Sequence, residues 1–430
     1  MFTVKIINVG MILALCGVGL GSVDAQEHWP EFRGPLGNGS AVDVSQGPEN
    51  WSETEHVSWK TAIPHMGWSS PAILDDQIWI TTATEEGSDY YVIQVNAETG
   101  KIELDEHLFH SDDPEPLGNA VNCYASPSPV LEEGRVYVHF GSYGTACLDT
   151  DTGKVLWKRD DLKCRHFRGP GSSPILFEDL LILSFDGIDQ QYLTALDKNT
   201  GKTVWRTDRT TVFDDLDERG RPKNLGDYRK AFSTPLIVES GGKPLMISPG
   251  SFSVFGYDPR TGKEIWNVRH GSHTARVRPV FADGIVYVTA GGGPTELLAI
   301  RVDGEGDVTD SHVVWRKSDG AVPTTPSLLL IDGLLYLGTD RGIVTSLDAA
   351  DGEEVWTERI GGNYVASPLH AGDSLYFFST QGKTTVMKTG REPRIVGTNE
   401  LDVGCMASPA MLGSSLILRS KTHLYRIDNK

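Results

Sequence analysis

Cysteine is scarce in this sequence and never paired along the chain. The five residues, Cys16, Cys123, Cys147, Cys164 and Cys405, leave no two adjacent and no C-x-x-C spacing, so no dithiol redox motif is written here. The twelve histidines show no ligand spacing, and no metal site is expected. Basic residues are short too. Lys plus Arg number 39 against 58 Asp plus Glu, a net charge of −19, which argues against a general nucleic-acid-binding role. G-x-S-x-G, H-E-x-x-H and Walker patterns are missing, and with them the common catalytic signatures; no catalytic residue is assigned. Gly291-Gly292-Gly293 falls between a strand and Pro294 and reads as a bulge or turn. The one long apolar run, Ile6 to Leu20, is too short for a comfortable membrane span.

That run belongs to a secretory leader over residues 1–25. Lys5 is the only charge ahead of it, and Val23-Asp24-Ala25 offers small residues for cleavage after Ala25. A lipoprotein leader acylated at Cys16 is the rival reading, although Leu15 is the wrong size for that processing site. The mature chain is expected to be exported, periplasmic or extracellular, monomeric and without a transmembrane span. Residues 26–56, with WPEFRGPLGNGSA, read as an ordered irregular arm in which Arg33 is buried and pairs with backbone carbonyls, a functional role for Arg33 being the alternative.

What the sequence has in abundance is one motif. Residues 195–205, ALDKNTGKTVW, recur as ACLDTDTGKVLW (146–157), FGYDPRTGKEIW (255–266) and TSLDAADGEEVW (345–356). An apolar strand end meets an Asp, a turn closes on Gly, and Trp follows four residues later. Asp and Asn cap the turn through side chain-to-backbone hydrogen bonds and Gly accepts positive φ, so each copy is a β-hairpin; this also explains the calcium-like spacing of residues 149–153. A degenerate copy puts Leu104 in the Trp slot, and another with a longer turn ends at Trp315. A second signal precedes each hairpin: a small or polar residue, then Pro, then an apolar strand. The prolines are Pro71, Pro129, Pro174, Pro235, Pro279, Pro326, Pro368 and Pro409, spaced by 41 to 61 residues.

Eight units of about four strands each predict an all-β fold, an eight-bladed β-propeller of four-stranded antiparallel blades over residues 57–430. Trp59, Trp157, Trp205, Trp266, Trp315 and Trp356 are expected to wedge between neighbouring blades as packing residues. HVSWKTAIP (56–64) has an outer-strand pattern with no hairpin before it, and the last unit lacks an outer strand. Residues 57–62 should therefore complete the eighth blade and remove an open edge. Two long connections, 105–123 and 207–230, should lie on one face beside the channel mouth, where binding commonly resides. Residues ahead of each inner strand should converge there: His65 and Trp68, Asn122 and Tyr124, His166 and Arg168, Arg229 and Lys230, Arg276 and Arg278, Asn363 and Tyr364. Such a ring suits an anion or a planar polar ligand; pairing with loop carboxylates is the plainer alternative. Cys123 and Cys164 precede inner strands of neighbouring units and are candidates for a disulfide, with Cys405 a competing partner.

Residues Ala195, Asp197, Thr200, Gly201 and Trp205 match A-x-D-x-x-T-G-x-x-x-W, and the chain over about 57–428 resembles the repeat named after pyrroloquinoline quinone (PQQ). The W-x-x-F-R-G-P string of the arm is similar to the start of secreted PQQ-like repeat proteins. This resemblance implies the propeller but not one activity, because the superfamily includes both quinoprotein dehydrogenases and BamB-like assembly scaffolds. The dehydrogenases use a vicinal cysteine pair and a calcium held by Glu, Asn and Asp; the first is missing here and no motif places the second. The expectation is a non-catalytic platform without a cofactor, binding a protein or cell-envelope partner through the long-loop face. Two alternatives stand beside it: a periplasmic oxidoreductase using PQQ with calcium, or another bound ligand, and a carbohydrate- or anion-binding module.

Overall fold

The structure, a computed structural model, describes residues 28–41, 44, 46–118, 120–292, 294–318 and 322–429. The leader and Cys16 lie outside the described residues. Eight antiparallel sheets follow one another around an axis. Blade one consists of Ala72–Leu74, Gln77–Ala83, Asp89–Asn96 and Ile102–His110, from the axis outward. The innermost strands of the next six blades are Val130–Glu132, Ile175–Phe177, Leu236–Ser240, Val280–Ala282, Leu329–Ile331 and Leu369–Ala371. Blade eight runs Ala410–Leu412, Ser415–Arg419 and His423–Ile427. Its outer strand is Val57–Ala62, with Trp59 opposite Arg426 and Thr61 opposite Leu424. The ring is closed as the orphan strand pattern required. Blade four gains a fifth strand, Gly306–Asp307, which pairs in parallel with Glu264–Arg269; the longer turn of blade five supplies it.

Burial follows position in the blade. Ser415–Arg419 is buried at every residue, because neighbouring blades cover both faces of a middle strand. Outer strands such as Val155–Arg159 alternate between half-buried and exposed, since one face meets solvent.

The repeated hairpin acts between blades as well as within them. Asp197 accepts hydrogen bonds from the Thr200 backbone and hydroxyl, both at 2.8 Å, and shapes the turn. Gly201 takes φ of +69°. The indole of Trp157, from the preceding blade, lies against this glycine, and a Cβ there would sit 2.7 Å from the ring. The indole N–H then reaches the same turn, bonding the Lys198 carbonyl at 2.9 Å. Trp59, Trp205, Trp266, Trp315 and Trp356 each donate in the same way to the next blade. Leu104 holds the slot in blade one and packs on Gly153. In blade seven the slot is Gly397, over which the Glu49 carbonyl of the N-terminal arm passes, while Trp51 joins the core shared with blades eight and one.

At the axis, a polar relay replaces strand pairing. The N–H groups of Ser70, Ser128 and Ser173 donate to the hydroxyls of Ser128, Ser173 and Thr234 at 2.8 to 2.9 Å. Those of Arg278, Ser327 and Ser367 donate to Ser327, Ser367 and Ser408 at 2.9 to 3.1 Å. Arginines span the two remaining seams. Arg278 donates to the Pro235 carbonyl at 3.2 Å, and Arg419 to the Ser69 and Thr81 carbonyls at 2.9 and 3.1 Å. Blade six departs from the repeat: its inner strand begins at Leu329 and Ser327 enters the relay, so Leu328 occupies the proline slot and Pro326 lies two residues earlier.

The arm crosses one end of the channel. Trp29 pairs with Ile73 of blade one, the Pro30 carbonyl accepts from Leu131 of blade two, and Ala41 and Gly39 bond His370 of blade seven. Arg33 is buried and donates to the carbonyls of Asn38, Leu328 and Pro368. Glu31 pairs with Arg278 at 2.9 Å. Burial without such partners would be costly for either charge.

Two glycines separate the roles of the turn. Gly134 has φ of +75° with nothing near a hypothetical Cβ, so Gly134→Ala should cost only the backbone strain, about 1 kcal/mol. Gly201→Ala must also displace an indole and should cost about a further 1–3 kcal/mol. Denaturant unfolding of both variants checks this; equal losses would remove the inter-blade role of Gly201.

Candidate functional site

The end of the channel opposite the arm is open and leads into a cavity of about 600 Å³. All eight blades contribute to its wall. Its composition follows from the fold. The stretches preceding the inner strands are not in ladders, so their backbone groups face the axis and call for hydroxyl and amide partners. Ser70, Ser128, Ser173, Ser327, Ser367 and Ser408 line it, with Phe32 of the arm beside them.

Blades three, four and five add a cationic wall: Arg168, Lys230 and Arg276. Lys230 is buried and forms a close ion pair with Asp227, which also lies 3.6 Å from Arg168. Burial, with Arg168 and Arg276 nearby, pulls the Lys230 ammonium down to about 7. Burial also lowers the Arg276 guanidinium, opposed by Asp340 and reinforced by Arg168. His273, tilted against Tyr228 with ring centroids 4.3 Å apart, is held low by burial and by Lys230 and Arg276, so it is neutral at pH 7. Asp340 is engaged elsewhere, accepting from the Thr324 N–H at 3.1 Å and hydroxyl at 2.6 Å.

Of the twelve residues assigned to the mouth from sequence, Trp68, Asn122, Arg168, Lys230, Arg276, Asn363 and Tyr364 line this cavity. The other five lie elsewhere, each for a local reason. His65 stacks on Tyr91 at 4.2 Å on the outer surface. Tyr124 turns into the seam between blades one and two, where its hydroxyl bonds the Glu115 carbonyl at 2.8 Å. His166 is buried beside Cys164 and accepts from the Ser142 N–H at 2.9 Å. Arg229 is bidentate to Asp215 within the long loop. Arg278 faces the arm at the closed end. Cavity residues not assigned from sequence include His273, Thr324, Asp227 and Asp340; the first two also precede inner strands, but the two carboxylates sit in loops with no repeat signal.

The Cys123–Cys164 bridge is not formed. Both are buried free thiols, and local partners hold them apart: Cys123 faces Ser126 at 3.4 Å, Cys164 faces Ser142 and His166. Cys405 is also free and buried. Nor does the donor set fit a calcium centre. Among the described residues no group of three or more His, Cys, Asp or Glu could hold a metal, and both cavity carboxylates already have partners.

The 207–230 connection borders the mouth and is firmly anchored. Arg209 makes a bidentate pair with Asp186 at 2.6 and 2.7 Å, both side chains almost fully buried. A short turn at Lys223–Arg229 leads into Lys230. Yet this anchored loop exposes Val212, Leu216 and Leu225, the first at 91%. Val121, from the 105–123 connection, is exposed at the same mouth.

A family model described as outer membrane protein assembly factor BamB matches residues 37–188 and 189–430. The chain is 22% identical over 256 residues to the assembly factor BamB of Moranella endobia, covering 59% of this chain and 60% of that one. It is 25% identical over 247 residues to BamB of Shewanella oneidensis, covering 55% and 59%. A quinoprotein ethanol dehydrogenase of Pseudomonas aeruginosa is 30% identical over 155 residues, 32% of this chain and 22% of that protein. The chain thus matches less than two thirds of the length of each of these relatives. Among solved structures, BamB from Moraxella catarrhalis superposes with a TM-score of 0.61 at 14% identity, over 87% of this chain and 97% of that one. Quinohemoprotein alcohol dehydrogenase from Comamonas testosteroni gives 0.68 at 12%, over 94% and 81%. At these identities the two structures share the fold.

The buried histidines make stability pH-dependent. Burial, with His166 adding to it, pushes His139 down to about 3, and burial pushes His166 down to about 4, from an ordinary 6.5. Below pH 6.5 the unfolded chain takes up protons that the folded one refuses, so stability is full above 6.5 and falls as pH drops towards 4. The melting temperature should decline over that window, and His166→Gln should flatten the decline. An unchanged slope in the variant would show that His166 does not contribute.

Proposed function

The chain belongs to the family described as outer membrane protein assembly factor BamB, and on that premise we propose that it is an exported, non-catalytic platform that binds a protein partner of the cell envelope. The observation that carries this reading is the loop over 207–230. Buried and half-buried ion pairs at Arg209–Asp186 and Arg229–Asp215 fix its backbone, while Val212, Leu216 and Leu225 stand in solvent. A preorganised loop loses little entropy on association, and exposed apolar side chains on it supply the contact area. The named relatives that assemble outer-membrane proteins support the same class of partner.

The second reading is a quinone-dependent oxidoreductase, favoured by the cationic cavity wall and by the relatives named as quinoprotein dehydrogenases. Two measurements separate them. Mixing the purified protein with PQQ and calcium should give no stoichiometric quinone spectrum and no rise in melting temperature; a stoichiometric spectrum with a raised melt would replace the platform reading. The double variant Val212→Asp, Leu225→Asp should fold with unchanged melting temperature but lose at least about nine tenths of its co-purifying envelope proteins, as an interface losing over 1.4 kcal/mol would. Retention at the wild-type level would exclude this loop.

A further inference from the structure

The cavity and the long-loop face open in the same direction, and the cavity is charged opposite to the molecule around it. The arm closes the far end, with Phe32 lining the cavity from that side, so anything that enters comes through the face bordered by Val121 and the 207–230 loop. Of the three cations, Arg168 and Lys230 share Asp227. Arg276 is different. Among the described residues it has no hydrogen bond and no ion pair, and charges act on it only at longer range, Asp340 favouring and Arg168 opposing its cationic form. Its guanidinium is half-buried, lines the cavity and has no acceptor from the described protein residues, and the group matching its planar fork is a carboxylate, bound through both oxygens.

We propose that this cup receives a carboxylate carried at the end of a partner polypeptide, with Arg276 as its anchor. The inference rests on the platform reading and names the chemistry of the partner. The volume, about 600 Å³, is within the range that holds a drug-sized ligand and is far more than a bare ion needs. Beyond Arg276 the wall offers neutral groups, including the Thr325 hydroxyl and the Asn363 amide; these fit the alternating N–H and C=O groups of an extended chain. Trp68 and Phe232 give its side chains apolar faces. Delivery by a docked segment also answers the electrostatics. A net charge of −19 repels free polyanions at long range, whereas a tethered carboxylate held at the mouth acts at high effective concentration.

The test is fluorescence anisotropy with the full mature protein. The probes are a fluorescein-labelled serine–glycine hexapeptide ending in glutamate with a free C-terminus, its counterpart ending in glutamine amide, and unlabelled citrate as competitor. The acidic peptide should bind, more weakly as salt rises, and the amide should not. Arg276→Gln should weaken binding at least about tenfold, the loss of one charge-assisted pair, while Arg260→Gln on the outer surface should not. If Arg276→Gln fails to fold, Arg168→Gln and the salt titration carry the same test, since removing either cation lowers the same field. Equal binding of both peptides, or no effect of the cavity variants, would overturn the proposal. Tight citrate binding without peptide binding would overturn the peptide source and leave a site for a free carboxylate. Because Val212→Asp, Leu225→Asp lies outside the cup, it should leave peptide binding intact; loss of co-purification with intact peptide binding separates the two readings.

Discussion

Everything in this molecule depends on a relay of hydrogen bonds around the axis. A propeller brings eight inner strands together at a radius where they cannot pair with one another, yet their entry residues still carry N–H groups that need acceptors. The hydroxyls of the Ser-Pro steps supply them, each blade accepting from the one before. Where the relay lacks a hydroxyl, at blade five, Arg278 reaches across instead; at the closure between blades eight and one, Arg419 does the same. The polar character of the channel is therefore a result of the architecture, present before any ligand is considered. Arg168, Lys230 and Arg276 add charge to it.

At the rim a different economy holds. One turn serves two blades, because the glycine that permits the hairpin also leaves room for the neighbouring indole. Sequence and packing constrain the same residue from opposite sides, which is why the spacing from Gly to Trp is so regular while the strands between vary. Blade seven shows the rule by its exception: with Gly397 in the slot, the N-terminal arm passes over the blade and Trp51 joins the core.

This regularity decides what could be read in advance. Eight units, their hairpins, the wedge tryptophans and the closing strand at 57–62 all follow from periodic patterns and were legible. The mouth was legible in part. Trp68 and Arg276 sit three residues before their prolines and face the cavity, but Arg278 sits one residue before its proline and faces the other end. His166, Tyr124 and Arg229 belong to stretches that leave the repeat, where no fixed offset predicts direction. The path of residues 28–56 carries no period, so nothing in the sequence revealed that it would stop one end of the channel. Asp227 and Asp340, which set how much of the cationic wall is compensated, are likewise products of loop geometry.

The closing strand has a bearing on how the protein is made. Val57–Ala62 pairs with His423–Ile427, so this strand must wait until the blades between the two have been translated. A chain interrupted anywhere before residue 423 keeps an unpaired outer strand and a missing blade face. Contacts of such long sequence separation form slowly. Completion of the ring is thus a built-in inspection step: an incomplete product cannot hide its edges and is left open to proteases and chaperones.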